Sequence, residues 1–218
     1  MSRCPTLDSL LWPADEPAQE MASEWVDGMT AQALDYTWRG FDSLVKGHLH
    51  KIDFSVKIEQ LERSLTANHF AEIQKIWAKE TGGESSFYPH HEDPEMETRK
   101  SASSKPPAYD LAFVCDANRR FIWPMEAKVV ETPGALAPYL GDVAKFESGV
   151  AAPLTGVGGL IAYLRSGSTA DFFANLQKAM KQGLREFPSS PARAHRTSLH
   201  DRTIAPRLLL HHMGMVLA

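Results

Sequence analysis

The chain has 218 residues, of which 43% are hydrophobic and 23% are charged, and this composition excludes a disordered or fibrous protein. No apolar run approaches the roughly 20 residues that a membrane-spanning helix needs, and residues 1–5 lack the apolar segment of a signal peptide. The formal net charge of -4 argues against a chain that binds nucleic acid through its overall charge.

Helical spacing dominates the first third of the chain. Residues 19–36 carry apolar side chains at helical spacing, and residues 37–52 are ambiguous. Residues 54–79 predict a long helix with one apolar stripe, and Gly82 is suited to end it.

Two glutamates fall inside the apolar stripe of this long helix. They are Glu62 and Glu72, whereas Glu59 lies nearer the edge of the stripe. A carboxylate on a buried face is unusual, because it needs a basic partner or a functional role. Both explanations remain open at the level of the sequence.

Predicted strands and helices alternate along the rest of the chain. In chain order they are a strand at 86–92, a polar loop at 98–107, a hairpin at 108–130, a helix at 138–148, a strand at 159–164, a helix at 169–184, a basic loop at 187–206 and a strand at 207–217. Ser168 and Asp171 form a capping pattern for the last helix. This order predicts an α/β domain with a mixed sheet flanked by helices.

The chain has two cysteines, Cys4 and Cys115. Cys4 lies in a predicted tail and Cys115 in an apolar strand, so we expect no disulfide between them. A chain without disulfides fits a reducing compartment, and we therefore expect a cytoplasmic protein.

Three charged residues interrupt the apolar strands of the predicted hairpin. Asp110 lies in the first strand, and Glu126 and Lys128 lie two residues apart in the second. Taking a charge out of water is costly unless the charge is paired or binds a metal. Two carboxylates and a lysine are also the groups that metal-dependent phosphodiester hydrolysis uses. A plain salt bridge between Glu126 and Lys128 is the structural alternative.

The predicted geometry of the hairpin brings these charges together. A three-residue loop over 116–118, with Asn118 in the left-handed conformation, pairs the two residues that flank the loop. This register places Asp110 opposite Pro124, on the same face as Glu126 and diagonally one step away. A proline inside a strand also indicates an edge strand or a bulge.

The spacing of these charges resembles the motif of the PD-(D/E)XK nuclease superfamily, which has the restriction-endonuclease-like fold. Asp110 is followed after 15 residues by Glu126, and Lys128 comes two residues later. The resemblance covers about residues 55–165. Tyr109 stands where the family often has proline before the aspartate.

The resemblance implies both an architecture and an activity. The architecture is a mixed central sheet flanked by helices, formed by residues 54–218, with residues 1–53 as an N-terminal helical extension. The activity is metal-dependent cleavage of DNA or, less often, RNA.

The resemblance also implies a Mg²⁺ site, in which Mn²⁺ is expected to substitute. Asp110 and Glu126 correspond to the ligand carboxylates, and the backbone carbonyl of Ala127 is a further ligand. Lys128 corresponds to the residue that orients or activates the hydrolytic water. Glu62 is the best match to a glutamate that the family often carries on the preceding helix, with the two other glutamates of that helix behind it.

Basic residues concentrate in the second part of the chain. Residues 1–97 contain 18 acidic and 8 basic residues, whereas residues 98–218 contain 9 acidic and 15 basic residues. Such an asymmetry can create a local phosphate-binding face, and ordinary surface solvation is the equally good alternative explanation. The candidate nucleic-acid contacts are Arg99, Lys100, Lys105, Lys178, Lys181, Arg193, Arg196 and Arg202.

Two functions are consistent with this pattern. The first is a metal-dependent deoxyribonuclease, with a bacterial restriction or phage-defence system as the expected setting. The second is a catalytically inactive nuclease-fold protein that binds nucleic acid or another protein. A homodimer or a partner subunit is compatible with a chain of this length. The adjacent pairs at 90–91 and 211–212 do not predict zinc, because neighbouring strand residues face opposite ways.

Overall fold

The computed structural model describes residues 16–95, 108–188, 193–203 and 205–217. Within these ranges, four α-helices surround one seven-stranded sheet. The helices are α1 (Glu16–Gly47), α2 (Ile58–Thr81), α3 (Ala137–Glu147) and α4 (Thr169–Met180), with a short 3-10 turn at Leu49–Lys51. The strands are β1 (Phe87–Pro94), β2 (Ala108–Cys115), β3 (Ile122–Val130), β4 (Val157–Leu164), β5 (Arg185–Glu186), β6 (His195–His200) and β7 (Leu208–Val216).

The sheet is mixed, and its strand order is β1-β2-β3-β4-β7-β6-β5. The first three strands are antiparallel neighbours, and β3, β4 and β7 run parallel. Both β6 and β5 return to antiparallel pairing. This arrangement confirms the expected α/β class with a mixed sheet between helices. It also places β7 inside the sheet, between β4 and β6.

Helices cover both faces of the sheet. On one face, Leu44 of α1 and Leu65 of α2 share a hydrophobic core with Trp123 of β3. On the other face, Tyr139 of α3 and Phe172 of α4 belong to a second core. Every residue of β4 is buried as a result, which is typical of a parallel strand covered on both sides. The proposed division at residue 53 stays a prediction, although α1 packs on the sheet itself.

The first helix is longer than predicted. The sequence left residues 37–52 ambiguous, but α1 continues to Gly47. Gly40 lies inside this helix because α2 approaches closely there: a Cβ at Gly40 would lie 2.4 Å from Cγ1 of Ile73. The glycine therefore serves a helix contact and does not break the helix.

The predicted basic loop at 187–206 is wrong, because it contains β6. Four residues of this strand are polar and buried, and they are His195, Thr197, Ser198 and His200. Strands with buried polar side chains lack the apolar alternation from which strands are recognised in a sequence. The helix predicted to end at 184 ends at Met180, where Lys181 adopts a left-handed conformation.

The other predicted helices and strands are confirmed with small shifts of their boundaries, including the cap of α4. The polar loop predicted at 98–107 lies outside the described residues. Ser168 Oγ accepts a hydrogen bond from the backbone N–H of Asp171 at 3.1 Å. None of the helices in the described ranges combines the length and the apolar character needed to cross a membrane.

Candidate active site

The hairpin that carries the site has a longer loop than predicted. The three-residue loop is wrong: the observed pairs include Ala112 with Pro124, and five residues, 116–120, connect the strands. Asn118 is not left-handed; its Oδ1 accepts a hydrogen bond from the backbone N–H of Arg120. The register therefore shifts by two residues, which preserves the alternation of faces. Asp110 comes opposite Glu126 in register instead of Pro124.

The expectation that Pro124 marks an edge strand or a bulge is also wrong. Strand β3 lies inside the sheet, between β2 and β4. The proline is tolerated because the ladder toward β4 begins one residue later, at Met125 paired with Gly159.

Two carboxylates bind the backbone of β3 beyond the end of its pairing with β2. The N–H of Ala127 donates to Oδ2 of Asp110 at 2.8 Å, and the N–H of Val129 donates to Oε2 of Glu62 at 3.1 Å. These two N–H groups therefore have acceptors where no neighbouring strand supplies them. The same bonds hold Asp110 and Glu62 against the strand.

Lys128 lies at the centre of the group. Its Nζ is 2.9 Å from Oε1 of Glu62 and 3.0 Å from the backbone oxygen of Ala127. It is also 3.2 Å from Oδ2 of Asp142 and 3.9 Å from Oδ2 of Asp110. One ammonium group is thus within ion-pair distance of three carboxylates from three different elements.

The surroundings keep Lys128 charged. Burial alone would lower the pKa of Lys128, but the negative charges of Asp142, Asp110 and Glu62 outweigh burial and raise it. Burial has the opposite effect on a carboxylate: it raises the pKa of Glu62, and the positive charge of Lys128 offsets part of this increase. Lys128 is therefore a charged group in a partly desolvated place, and its charge favours the ionised form of Glu62.

Glu126 is the most desolvated carboxylate of the predicted set, with 5% of its surface exposed. Burial raises its pKa well above the ordinary value, and the neighbouring charges of Asp110 and Asp142 add to the shift. No hydrogen bond between described residues involves its carboxylate. The ionised form of Glu126 is therefore disfavoured relative to that of an exposed glutamate.

Two residues of α3 belong to the site although the sequence did not indicate them. Asp142 is 2% exposed, and its Oδ1 lies 2.6 Å from Nζ of Lys145. A signal was present: Asp142 lies three residues after Tyr139 and four before Phe146, on the apolar stripe of its helix. The criterion that selected Glu62 would have selected Asp142.

The other two glutamates of α2 lie outside this group. Glu72 contacts Nζ of Lys75 and Oγ of Ser43, both at 2.5 Å, and Glu59 is exposed. Of the three glutamates of α2, Glu62 is the one that contacts Lys128 and so belongs to the predicted site.

The donor atoms suit a hard cation. The carboxylates of Asp110, Glu126 and Glu62 and the carbonyl of Ala127 all offer oxygen, which Mg²⁺ prefers. Among the described residues, however, there is no group of at least three His, Cys, Asp or Glu side chains whose arrangement could hold a metal ion. In this structure Nζ of Lys128 contacts two of these oxygen donors, Oε1 of Glu62 and the carbonyl of Ala127.

Three of the candidate nucleic-acid contacts are engaged within the protein. Arg193 pairs with Asp42 at 2.6 Å, and Arg196 pairs with Glu186 at 2.8 Å. Arg202 donates to several backbone carbonyls, including that of Thr155 at 2.7 Å, and burial lowers its pKa to about 10.

Two further candidates, Lys178 and Lys181, are exposed and line a surface cleft. The remaining three, Arg99, Lys100 and Lys105, lie outside the described residues.

Comparisons of the chain with protein-family models, with curated proteins and with solved structures found no match. The resemblance to the nuclease superfamily therefore rests on the spacing of the site residues.

Proposed function

We propose that this protein is a metal-dependent nuclease that hydrolyses phosphodiester bonds of DNA. The observation that carries the proposal is the convergence of Lys128, Glu62 and Asp110 beside the buried Glu126. Desolvated ionisable groups of this kind are costly to a folded protein and cluster at functional sites. The mixed sheet with helices on both faces supports the finer proposal of a restriction-endonuclease-like fold.

Asp110, Glu126 and the carbonyl of Ala127 would hold Mg²⁺ or Mn²⁺, with Glu62 as a further ligand. When bound, the metal polarises the scissile phosphate and lowers the pKa of the attacking water. The ammonium of Lys128 contacts some of the same oxygens, so like-charge repulsion would move it away from a bound cation.

Asp142 gives Lys128 a second partner. Its Oδ2 lies 3.2 Å from Nζ, and the residue is buried. Lys128 can therefore stay paired and charged after leaving Glu62. From there its positive charge would stabilise the negative charge that develops on the phosphate oxygens.

Glu126 couples cation binding to pH. Because its pKa is raised well above the ordinary value, the carboxyl holds its proton over a wider pH range than an exposed glutamate. Only the ionised form is a good ligand, so binding of the cation releases a proton. Affinity for Mg²⁺ should accordingly rise with pH through the range in which Glu126 titrates.

The wider setting of the proposal rests on the resemblance. It comprises a bacterial restriction or phage-defence system, a cytoplasmic location and a homodimer or partner subunit. RNA is the less common substrate of such enzymes and belongs in the same assay.

A nucleic-acid-binding protein without turnover is the second candidate. The contacts of Lys128 favour it, because an ammonium held by several acceptors is stable without any metal. In that case the charged group would be a buried ion-pair network, which adds specificity of packing more than stability.

One experiment separates the two candidates. Plasmid DNA, single-stranded DNA and RNA are incubated with the protein in Mg²⁺, Mn²⁺ or EDTA, and cleavage is followed on gels. The variant Lys128→Ala is compared with the exposed control Lys79→Ala, purified in parallel.

For the nuclease, the wild type and the control should cut in the presence of metal, and Lys128→Ala should be slower by at least about 100-fold. Binding without cleavage by the wild type in either metal would reject the nuclease and support the second candidate. Equal cleavage by all three proteins would indicate a contaminant.

A further inference from the structure

Two adjoining clefts lie at the end of α4 and beside β6. The first, of about 530 Å³, is lined by Lys178, Lys181 and the two residues that follow, Gln182 and Gly183. The second, of about 380 Å³, shares Gln182 and Gly183 and adds Arg185 and Arg207, together with residues of β6. The two clefts therefore meet at Gln182–Gly183, and they share no residue with the candidate active site.

The lining of both clefts is basic. Neither cleft contains an acidic or an aromatic residue among those that line it. Lys178, Lys181 and Arg185 have no ion pair within the described residues. Arg207 lies 3.0 Å from Asp201, but both side chains are largely exposed, so solvent weakens the pair. Four cationic side chains thus face solvent with little neutralisation.

The position of Lys181 adds to this observation. It follows the last residue of α4 with φ of 55°, a left-handed conformation that usually selects glycine or asparagine. Lysines near the end of a helix also complement the helix dipole, which accounts for Lys178 and Lys181 in part. The helix dipole does not account for Arg185 and Arg207, which lie outside the helix.

We propose that these clefts form one track that binds the phosphate backbone of a nucleic-acid strand, away from the site of hydrolysis. The inference rests on the proposed function, since the track would hold the substrate of the nuclease. The lining offers four cationic side chains and no aromatic ring, so contacts to phosphate groups would dominate, and such contacts carry no sequence information. Arg193, Arg196 and Arg202 are not part of the track, because the protein engages them internally.

The track is tested by binding in EDTA, where metal-dependent cleavage cannot occur. Fluorescence anisotropy is measured on a labelled single strand of DNA and on its duplex between about 50 and 200 mM salt. The variant Lys178→Gln/Lys181→Asn/Arg185→Gln removes three charges, and asparagine suits the left-handed position. The matched control, Lys46→Gln/Lys51→Gln/Lys79→Gln, removes three exposed charges elsewhere. Thermal unfolding verifies that both variants fold.

We expect the track variant to bind at least about 10-fold more weakly than the control, with a salt dependence reduced by about two to three phosphate contacts. The DNA form with the larger loss is the one that the track holds. Equal losses in both variants, no loss in either, or no binding by the wild type at low salt would overturn the inference.

The two proposals fail separately. If the track variant binds like the wild type while the wild type still cuts DNA, only the track is rejected. If binding depends on the track but no metal supports cleavage, only the nuclease is rejected.

Discussion

At the scale of the residue, Glu126 is a buried carboxylate whose ionised form destabilises the folded protein. Its carboxylate is buried beside Asp110 and Asp142, so its ionised form is disfavoured. The raised pKa means that the native state binds more protons than the unfolded state above the ordinary glutamate pKa. The free energy of unfolding therefore falls as the pH rises from the ordinary glutamate pKa through the raised pKa of Glu126 in the folded state.

Replacing Glu126 by Gln should remove the cost of ionising this buried carboxylate. We expect the free energy of unfolding at about pH 7, without metal, to rise by about 1 kcal/mol or more, since the amide does not ionise. Added Mg²⁺ should stabilise the wild type and leave the variant unchanged. Urea denaturation with and without Mg²⁺ measures both effects, with the exposed Glu59→Gln as control. A less stable variant would show that Glu126 makes a structural contact instead.

At the scale of the element, a chain of four hydrogen bonds anchors α3 to the sheet. Tyr139 Oη lies 2.9 Å from Nδ1 of His212, whose Nε2 lies 2.7 Å from Oγ of Ser198. Ser198 Oγ also lies 2.6 Å from Nε2 of His200, whose Nδ1 lies 2.8 Å from Oε1 of Glu147. Both ends of the chain, Tyr139 and Glu147, belong to α3, the helix that carries Asp142.

The protons of this chain match its bonds. Burial lowers the pKa of His212 to about 3 and also lowers the pKa of His200, so both rings are neutral near pH 7. Tyr139 then donates to His212, His212 to Ser198, Ser198 to His200 and His200 to Glu147. Each hydrogen bond uses one proton, and no group in the chain lacks a partner.

Ser198→Ala should therefore destabilise the protein by about 2–4 kcal/mol, because it removes two hydrogen bonds and leaves two buried ring nitrogens unpaired. The exposed Ser64→Ala serves as control, with an expected change within about 0.5 kcal/mol. Chemical denaturation at about pH 7 measures both. A loss below about 1 kcal/mol for Ser198→Ala would mean that the chain contributes little to the anchoring of α3.

The sequence predicts most elements of this fold because their periodicity is strong. The helices over 54–79 and 138–148 and the strand over 159–164 have apolar patterns that depend only on local spacing. Strand β6 has no such apolar pattern, because its buried side chains are polar and their partners lie on other elements. The hairpin loop is longer than spacing predicts, because the turn contains a side-chain hydrogen bond of Asn118, which spacing does not reveal.

The site follows the same division. Asp110, Glu126 and Lys128 stand out because they interrupt apolar strands. Their mutual contacts depend on the register of the hairpin, which differs from the predicted register by two residues. Because two is an even number, each side chain stays on the predicted face of the sheet. Asp142 lies on the apolar stripe of α3, which marks it as unusual, but its contact with Lys128 comes from another element and does not follow from local spacing. The metal itself stays a prediction.

At the scale of the whole molecule, several histidines are buried as neutral rings. Burial lowers the pKa of His69 to about 4, of His195 to about 4 and of His212 to about 3. The unfolded chain binds protons at these positions near the ordinary value of about 6.5. Their contribution to stability is complete above that value and is lost as pH falls toward the folded values.

The protein should therefore lose stability steeply between about pH 6.5 and pH 4, by roughly 3 kcal/mol for each of these histidines. Urea midpoints over this range measure the loss. His69→Gln should lower the slope by about 1.4 kcal/mol per pH unit, whereas the exposed control His50→Gln should not. A flat profile for the wild type would contradict neutral burial. The raised pKa of Glu126 acts in the opposite sense and reduces the total.

The inner position of β7 has a consequence for synthesis on the ribosome. This strand is translated after the other six, yet it lies between β4 and β6 and pairs with both. Until residues 208–216 leave the exit tunnel, the nascent chain has one pairing edge open on β4 and another on β6. Open edges recruit other strands, so the interval before residues 208–216 emerge is when the nascent chain should depend most on a chaperone.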